Sequence, residues 1–403
     1  MNVTRPLSVV SLFAGAGGLD LGLERAGWEV VAATDFDRAS MSTLRTSKDL
    51  AIPVTGRLGV THMSNTRLIE ADVRELTASD LRPTRARATW RPDLLAGGPP
   101  CQPWSSAGHQ RGLEDPRGQL IGHMLRLIYE LKPRYVLFEN VRGLVTAVGP
   151  NGRSGEVLRS IQADLEDIGY ASKIATLNAA DYGAAQRRVR LVLLASSDHH
   201  LPPWPAPTHA RYSDASSGTK PWVSMRSLLA KLPAPDEVEV VRPSGVRAAE
   251  LECLEPGKGL RTGGKVESNR PSGHWGYRQD SFVADTDLPA RTVRAATTPD
   301  WIRDGEGRLR RLTWRECAAL QGFPNDWAFM GTAAAKFRQI GNAVQAEMAT
   351  ALGDTLRAEL ARGRASKPPV SPPWPDALEA RVRYTLAEHR VNAGHRTRVR
   401  PQV

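Results

Sequence analysis

An apolar run, Leu7 to Phe13, leads straight into Ala14-Gly15-Ala16-Gly17-Gly18, and the turn opens onto Leu19 to Ala26 with helical spacing. Strand, glycine turn and helix in that order start a nucleotide-type α/β unit, because glycines let the backbone approach a ligand closely. A second apolar run, Glu29 to Thr34, ends in Asp35-Phe36-Asp37. An acidic residue about twenty positions beyond the glycine turn is placed to accept hydrogen bonds from ribose hydroxyls. Many tight turns bind nothing, so this unit constrains the fold more than it settles the function.

The same grammar continues down the chain. Leu68 to Ala71 ends at Asp72-Val73, and Leu94-Leu95-Ala96 ends at Gly97-Gly98-Pro99-Pro100-Cys101. Tyr135 to Phe138 runs into Glu139-Asn140-Val141, while Ile174 to Asn178 and Arg190 to Ala195 flank the segment Asp181 to Arg188. Amphipathic helices are expected over Gln119 to Leu131 and Gly155 to Ile168; residues 45–66 read as a polar, turn-rich insertion. Alternating short strands and helices predict an α/β fold with an open, mostly parallel, doubly wound sheet and function at the strand ends. The glycine turn, Asp35, Asp72, Cys101 and Glu139 all follow predicted strands, so they share one rim.

Cys101 leaves its strand on a stiff base, since the two prolines fix φ and hold the preceding residues extended. A polar loop, Ser105 to Gly118, follows it, which suits a nucleophile that closes over a substrate. Taken alone, a free cysteine is as well explained by packing. Cys101, Cys253 and Cys317 are scattered and odd in number, which argues against a disulfide framework. Without a Cys-x-x-Cys pair, or a second ligand pair for His199-His200, no metal is expected. The formal net charge of +11 favours a polyanionic partner, although a genomic arginine bias produces the same signal. No uncharged apolar run reaches membrane-spanning length and the N-terminus lacks a signal pattern, so a cytoplasmic protein with no membrane role is expected.

Composition divides the chain. Residues 1–197 read as the catalytic and cofactor-binding domain, and residues 198–288, rich in Pro, Gly, Ser and Arg, as a small loop-rich domain. Residues 289–362 return to the first domain, with a capped helix at Leu312 to Leu320 and a final helix at Gln345 to Leu360. Residues 363–403 are expected to be a basic, flexible tail.

Read in order, Phe13-Ala14-Gly15-Ala16-Gly17-Gly18, Pro99-Pro100-Cys101-Gln102, Glu139-Asn140-Val141, Gln186-Arg187-Arg188-Val189-Arg190, Arg291-Thr292-Val293 and Gly341-Asn342-Ala343-Val344 resemble the cytosine-5 DNA methyltransferase family. One such motif is weak; six in the family's order are specific. The resemblance implies S-adenosylmethionine at the glycine turn, lined by Phe13, Ala14, Gly15, Gly17, Gly18 and Leu19. Asp35 would take the ribose, Phe36 the adenine, and Asp72 with Val73 its amino group; Pro100, Leu120, Asn342 and Ala343 would complete the pocket. The family usually carries glutamate where Asp35 stands, one methylene longer.

The resemblance further implies that Cys101 attacks carbon 6 of cytosine, raising electron density at carbon 5. Glu139 would hold the ring nitrogen and exocyclic amine, Arg190 the ring carbonyl, and Arg188 would support charge in the same pocket. The base must flip out of the duplex. Gln102, Ser105, Arg111 and Arg117 would then clamp the DNA around it. Residues 198–288 correspond by position to the target-recognition domain. Its candidate groove contacts are Arg261, Thr262, Lys265, Asn269, Arg270, His274, Tyr277, Arg278 and Gln279, with Thr292 on the backbone near the target. The implied partner is double-stranded DNA, met by a monomer that works beside a restriction endonuclease. A tRNA-directed relative would carry Cys-Phe-Thr, which this chain lacks. A zinc deaminase would need Pro-Cys-x-x-Cys, but Cys101 is followed by Gln-Pro-Trp. A silent homologue would have no need of Cys101, Glu139 and Arg190.

Overall fold

The computed structural model describes residues 6–100, 120–213, 218–245, 248–260, 281–385 and the backbone of 266–267. The first half alternates strands and helices: β1 (Leu7–Leu12), α1 (Gly18–Arg25), β2 (Trp28–Asp35), α2 (Arg38–Asp49), β3 (Arg67–Glu70), α3 (Ala78–Leu81) and β4 (Leu94–Gly97). It continues with α4 (Leu120–Leu131), β5 (Tyr135–Val141), α5 (Glu156–Asp167), β6 (Ala171–Asn178) and β7 (Val189–Ser196). These seven strands form one sheet in the order β3-β2-β1-β4-β5-β7-β6. Only β7 runs against its neighbours, pairing antiparallel with both β5 and β6.

Central strands buried on both faces read as nearly continuous apolar runs, and their side chains divide with period two. Val9, Leu94, Ala96, Tyr135 and Leu137 face the core shared with α1 and the C-terminal helices. Val10, Leu12, Leu95, Val136 and Phe138 face α4 and α5. Strand order reverses between β1 and β4, so their C-terminal ends open a crevice where such sheets bind ligands.

The polar stretch after β2 is more regular than expected. Residues 38–49 form α2, capped by Asp37, whose carboxylate accepts from Ser40 N at 3.0 Å. Met41 and Leu44 are the only large apolar residues it buries, and its last turn, residues 45–49, overlaps the insertion expected at 45–66. The loop beyond it is joined by a Pro53–Thr61 bridge.

The second part contains β8 (His209–Ala210), β9 (Lys220–Pro221), α6 (Met225–Leu229), α7 (Ala248–Glu252), β10 (Lys258–Leu260), β11 (Val266–Glu267) and β12 (Phe282–Val283). It ends with β13 (Trp301–Arg303) and β14 (Leu309–Arg311). A small sheet, β11-β10-β12-β13-β14, packs around Leu251, Leu254, Leu260, Val283, Trp301 and Leu309. This sheet runs to residue 311, beyond the boundary expected at 288, because the chain returns to it after Ala290 bridges Gln186, just before β7.

The chain then rejoins the first domain through α8 (Trp314–Leu320), α9 (Ala333–Asn342) and α10 (Ala346–Ala361). On α1, a Cβ at Gly22 would stand 2.4 Å from Ala349 Cβ and 2.5 Å from Ala346 O. That glycine lets α10 lie directly on α1. Residues 364–385, expected to be flexible, are instead docked. Trp374, Leu378 and Val382 are buried against α5, spaced as one face of the helical turns at 376–385. Ser172 N donates to Ser371 Oγ at 3.0 Å, and Arg159 stacks 4.1 Å over Trp374 while pairing with Glu379 at 2.6 Å.

Candidate active site

The candidate centre lies at the ends of two neighbouring strands, β4 and β5. Asn140 Nδ2 donates to Pro99 O at 3.1 Å, tying the proline base after β4 to β5. A Cβ on Gly98 would stand 3.1 Å from Glu139 Oε2, a tight approach, so glycine there gives that carboxylate more room. In the β5–β7 register Val141 faces Arg190 and Glu139 faces Val192, which makes Glu139 and Arg190 diagonal neighbours on one face. Arg190 Nε lies 3.1 Å from Glu139 Oε1. Glu139 is 8% exposed. Its burial pushes the pKa up, and the charges of Arg190 and Arg188 only partly oppose that. The result is a buried carboxyl that takes up a proton more readily than an exposed one, steered by a guanidinium.

The cofactor end is built at β1 and β2. Phe13, Gly15 and Gly17 have φ of 55°, 55° and 89°, a left-handed path that is unusual for phenylalanine. Asp35 fixes the turn: Oδ2 accepts from Gly15 N and Oδ1 from Asp37 N, each at 2.8 Å. Burial raises the Asp35 pKa above the usual carboxylate value. Trp327 Nε1 donates to Ala16 O at 3.0 Å from the far end of the chain. A Cβ at Gly15 would meet nothing within 4 Å, so the turn faces open space there. Phe36, directly after Asp35, is 67% exposed. Asp72 is held below the usual carboxylate range by Arg74, which binds both its oxygens at 3.0 and 2.6 Å. Val73 and Ala343 are buried, Leu120 and Pro100 partly buried, and Asn342 is exposed. An open glycine turn, an exposed aromatic and two carboxylates at strand ends fit a cofactor with a purine and a ribose.

A family model for C-5 cytosine-specific DNA methylases matches residues 7–358. The chain belongs to that family. It is 28% identical over 379 residues to the Type II methyltransferase M.FnuDI of Fusobacterium nucleatum, covering 88% of this chain and 95% of that one. It is 31% identical over 367 residues to the Type II methyltransferase M.PspPI of a Psychrobacter strain, covering 88% and 79%. Its fold matches the S. pombe Dnmt2 methyltransferase with a TM-score of 0.57 at 17% identity, over 88% of this chain and 99% of that one. Spodoptera frugiperda DNMT2 gives 0.58 at 16%, over 87% and 99%. The mostly parallel sheet is thus that of S-adenosylmethionine-dependent methyltransferases, and the chain is a DNA cytosine-5 methyltransferase.

Within this methyltransferase, Arg188 differs from expectation. Its guanidinium is buried and donates to Val293 O at 2.9 Å, Gly341 O at 2.8 Å and Ala343 O at 2.9 Å. Arg188 therefore binds segments distant in sequence together, and its charge opposes the rise in the Glu139 pKa. Gln186 does related work: Nε2 donates to Leu320 O at 3.0 Å, and Oε1 accepts from Val293 N at 2.8 Å. Gly341 is required at this junction, since a Cβ would lie 2.1 Å from Ala295 N. Thr292, expected at the DNA backbone, donates its hydroxyl to Arg187 O at 2.9 Å and so also holds the junction. Cys317 is fully buried on α8, while Cys253 is exposed.

Residue types alone gave Asn140, Gln186 and Trp327 no role, because each acts through a backbone carbonyl or amide that sequence does not display. Cys101, Gln102, Ser105, Arg111 and Arg117 lie outside the described residues. So do Arg261, Thr262, Lys265, Asn269, Arg270, His274, Tyr277, Arg278 and Gln279.

Proposed function

We propose that the protein methylates carbon 5 of a flipped cytosine within a short duplex site through Cys101, as the modification enzyme of a restriction-modification system. The observation that carries this is the buried Glu139–Arg190 pair set against Gly98, on the chain that leads to Cys101. Cys101 follows Pro99 by two positions in the sequence. Asn140 holds that proline.

Cytosine carbon 5 is too weak a nucleophile to take a methyl group unaided. The Cys101 thiolate adds to carbon 6 while Glu139 gives its proton to ring nitrogen 3, and the ring electrons move toward carbon 5. Raised by burial, Glu139 is suited to deliver that proton, and Arg190 stabilises the ring carbonyl as charge develops. At the glycine turn Asp35 would hold the ribose of S-adenosylmethionine and Phe36 its adenine; that group would supply an electrophilic methyl, which carbon 5 would take as the S–CH3 bond breaks and the sulfonium leaves as a neutral thioether. Removal of the carbon-5 proton by a base then expels the Cys101 sulfur and restores the aromatic ring. Glu139 recovers its proton from nitrogen 3.

Bacterial relatives named as Type II methyltransferases support the restriction-modification role. Bisulfite sequencing of plasmid DNA from cells expressing the protein tests the reading and maps the site. Cytosines protected at one repeated short sequence are expected. Uniform conversion, with the protein present in the soluble fraction, overturns it.

A further inference from the structure

The family match ends at residue 358, yet the chain beyond it returns to the catalytic edge. Residues 364–385 cross α5, and Val382 packs on Gly155, where a Cβ would lie 3.1 Å from Val382 Cγ2 and 3.3 Å from Val145 O. Gly155 closes the loop that leaves β5, the strand of Glu139. That loop starts with Arg142, an exposed residue with no carboxylate partner among the described residues. On the docked helical turns, Arg381 is half-buried and its Nε is buried with no hydrogen-bond partner. Arg381 feels the Arg142 charge, and burial together with that repulsion lowers its pKa with no acid acting in its favour. The packing of Val382 against Gly155 sets Arg381 beside the turn that begins at Arg142, and among the described residues no acid pairs with either guanidinium; such a pair forms a site that an anion completes.

We propose that residues 364–385 form a strap that carries Arg381 to the active-site rim, where Arg381 and Arg142 together grip one DNA-backbone phosphate. The rim position favours DNA as the anion: Arg142 directly follows the strand that holds Glu139, and the duplex must lie over that edge for a cytosine to enter. This rests on the duplex-DNA reading above. The strap is then an appended clamp that adds affinity without reading sequence, as phosphate contacts do.

The test is duplex binding by the full chain across a salt series, with melting measured in parallel. Replacing Arg381→Ala or Arg142→Ala should lower the slope of log K against log salt by about 1, equally on the cognate and an unrelated duplex. The double variant should lower it by the same amount, because one phosphate is shared, and Arg381→Lys should keep the wild-type slope. An unchanged slope in Arg381→Ala, with the wild-type melting temperature retained, overturns the clamp. Should Arg381→Ala fold poorly, the exposed Arg142→Ala decides, and a wild-type slope there overturns it equally. Wild-type protein with no salt-dependent duplex binding would overturn the duplex reading itself along with the clamp.

Discussion

At the scale of single residues, two buried carboxyls carry opposite consequences. Glu139 is raised by burial, so its proton is retained to higher pH than in an exposed glutamate. In the proposed mechanism the protonated form gives the hydrogen to cytosine, so kcat/KM should fall as pH rises through the raised Glu139 pKa. Glu139→Gln should flatten that limb and lower kcat by about 10²- to 10⁴-fold, the usual worth of a positioned proton donor. A pH–rate profile of both proteins at saturating cofactor checks this. Asp20 lies fully buried on α1, and neither carboxylate oxygen makes a well-formed hydrogen bond. Burial drives its pKa up to about 7, Ser11 opposing and Glu24 adding to the rise. Below the unfolded value the carboxyl is neutral in both states and costs nothing. Stability is lost as pH climbs from the unfolded pKa to about 7, since only the unfolded chain then ionises freely. Asp20→Asn should therefore raise the urea midpoint at pH 8 and leave it nearly unchanged at pH 4. A wild-type midpoint at pH 8 would contradict the assignment.

At the scale of elements, the α1–α10 contact decides whether the C-terminal segment completes the domain. Alanine in an exposed helix gains about 1 kcal/mol over glycine. At Gly22 the sign should reverse: with Ala349 Cβ at 2.4 Å, Gly22→Ala should cost about 1–3 kcal/mol, read from the denaturation midpoint. The strands of the large sheet were legible because each is a short apolar run ended by glycine, proline or an acid, as at Leu94–Gly97. Helix α2 was not, since its stability comes from the Asp37 cap and from Thr43 and Ser47 buried beneath the 328–330 segment. The small sheet was illegible for another reason: strands such as Phe282–Val283 are too short to show a period. Trp374, Leu378 and Val382 did show helical spacing, but the surrounding Arg and Pro masked it. The partners of Arg188 were illegible, because they are carbonyls from segments more than a hundred residues away.

At the scale of the whole molecule, the rim gathers groups from far along the chain. Asp35 and Trp327 fix the glycine turn, Asn140 fixes the proline base, and Arg188 locks the 293 and 341–343 segments beside β7. Rigid positioning of this kind converts a weak reaction into a fast one by removing freedom before the reactants meet. The net charge of +11 also acts at this scale, drawing the polyanion toward a rim whose chemistry is local. The central claim is that the rim aims the Cys101 sulfur at carbon 6 of a flipped cytosine. A duplex bearing 5-fluorocytosine at the mapped site, incubated with the protein and S-adenosylmethionine, tests it most directly, because carbon 5 then holds no removable proton and the adduct persists. The account predicts a denaturation-resistant protein–DNA complex whose crosslinked peptide carries the base on Cys101, and no complex from Cys101→Ala. A crosslink at another residue, or none from a protein that methylates the unfluorinated duplex, would contradict it.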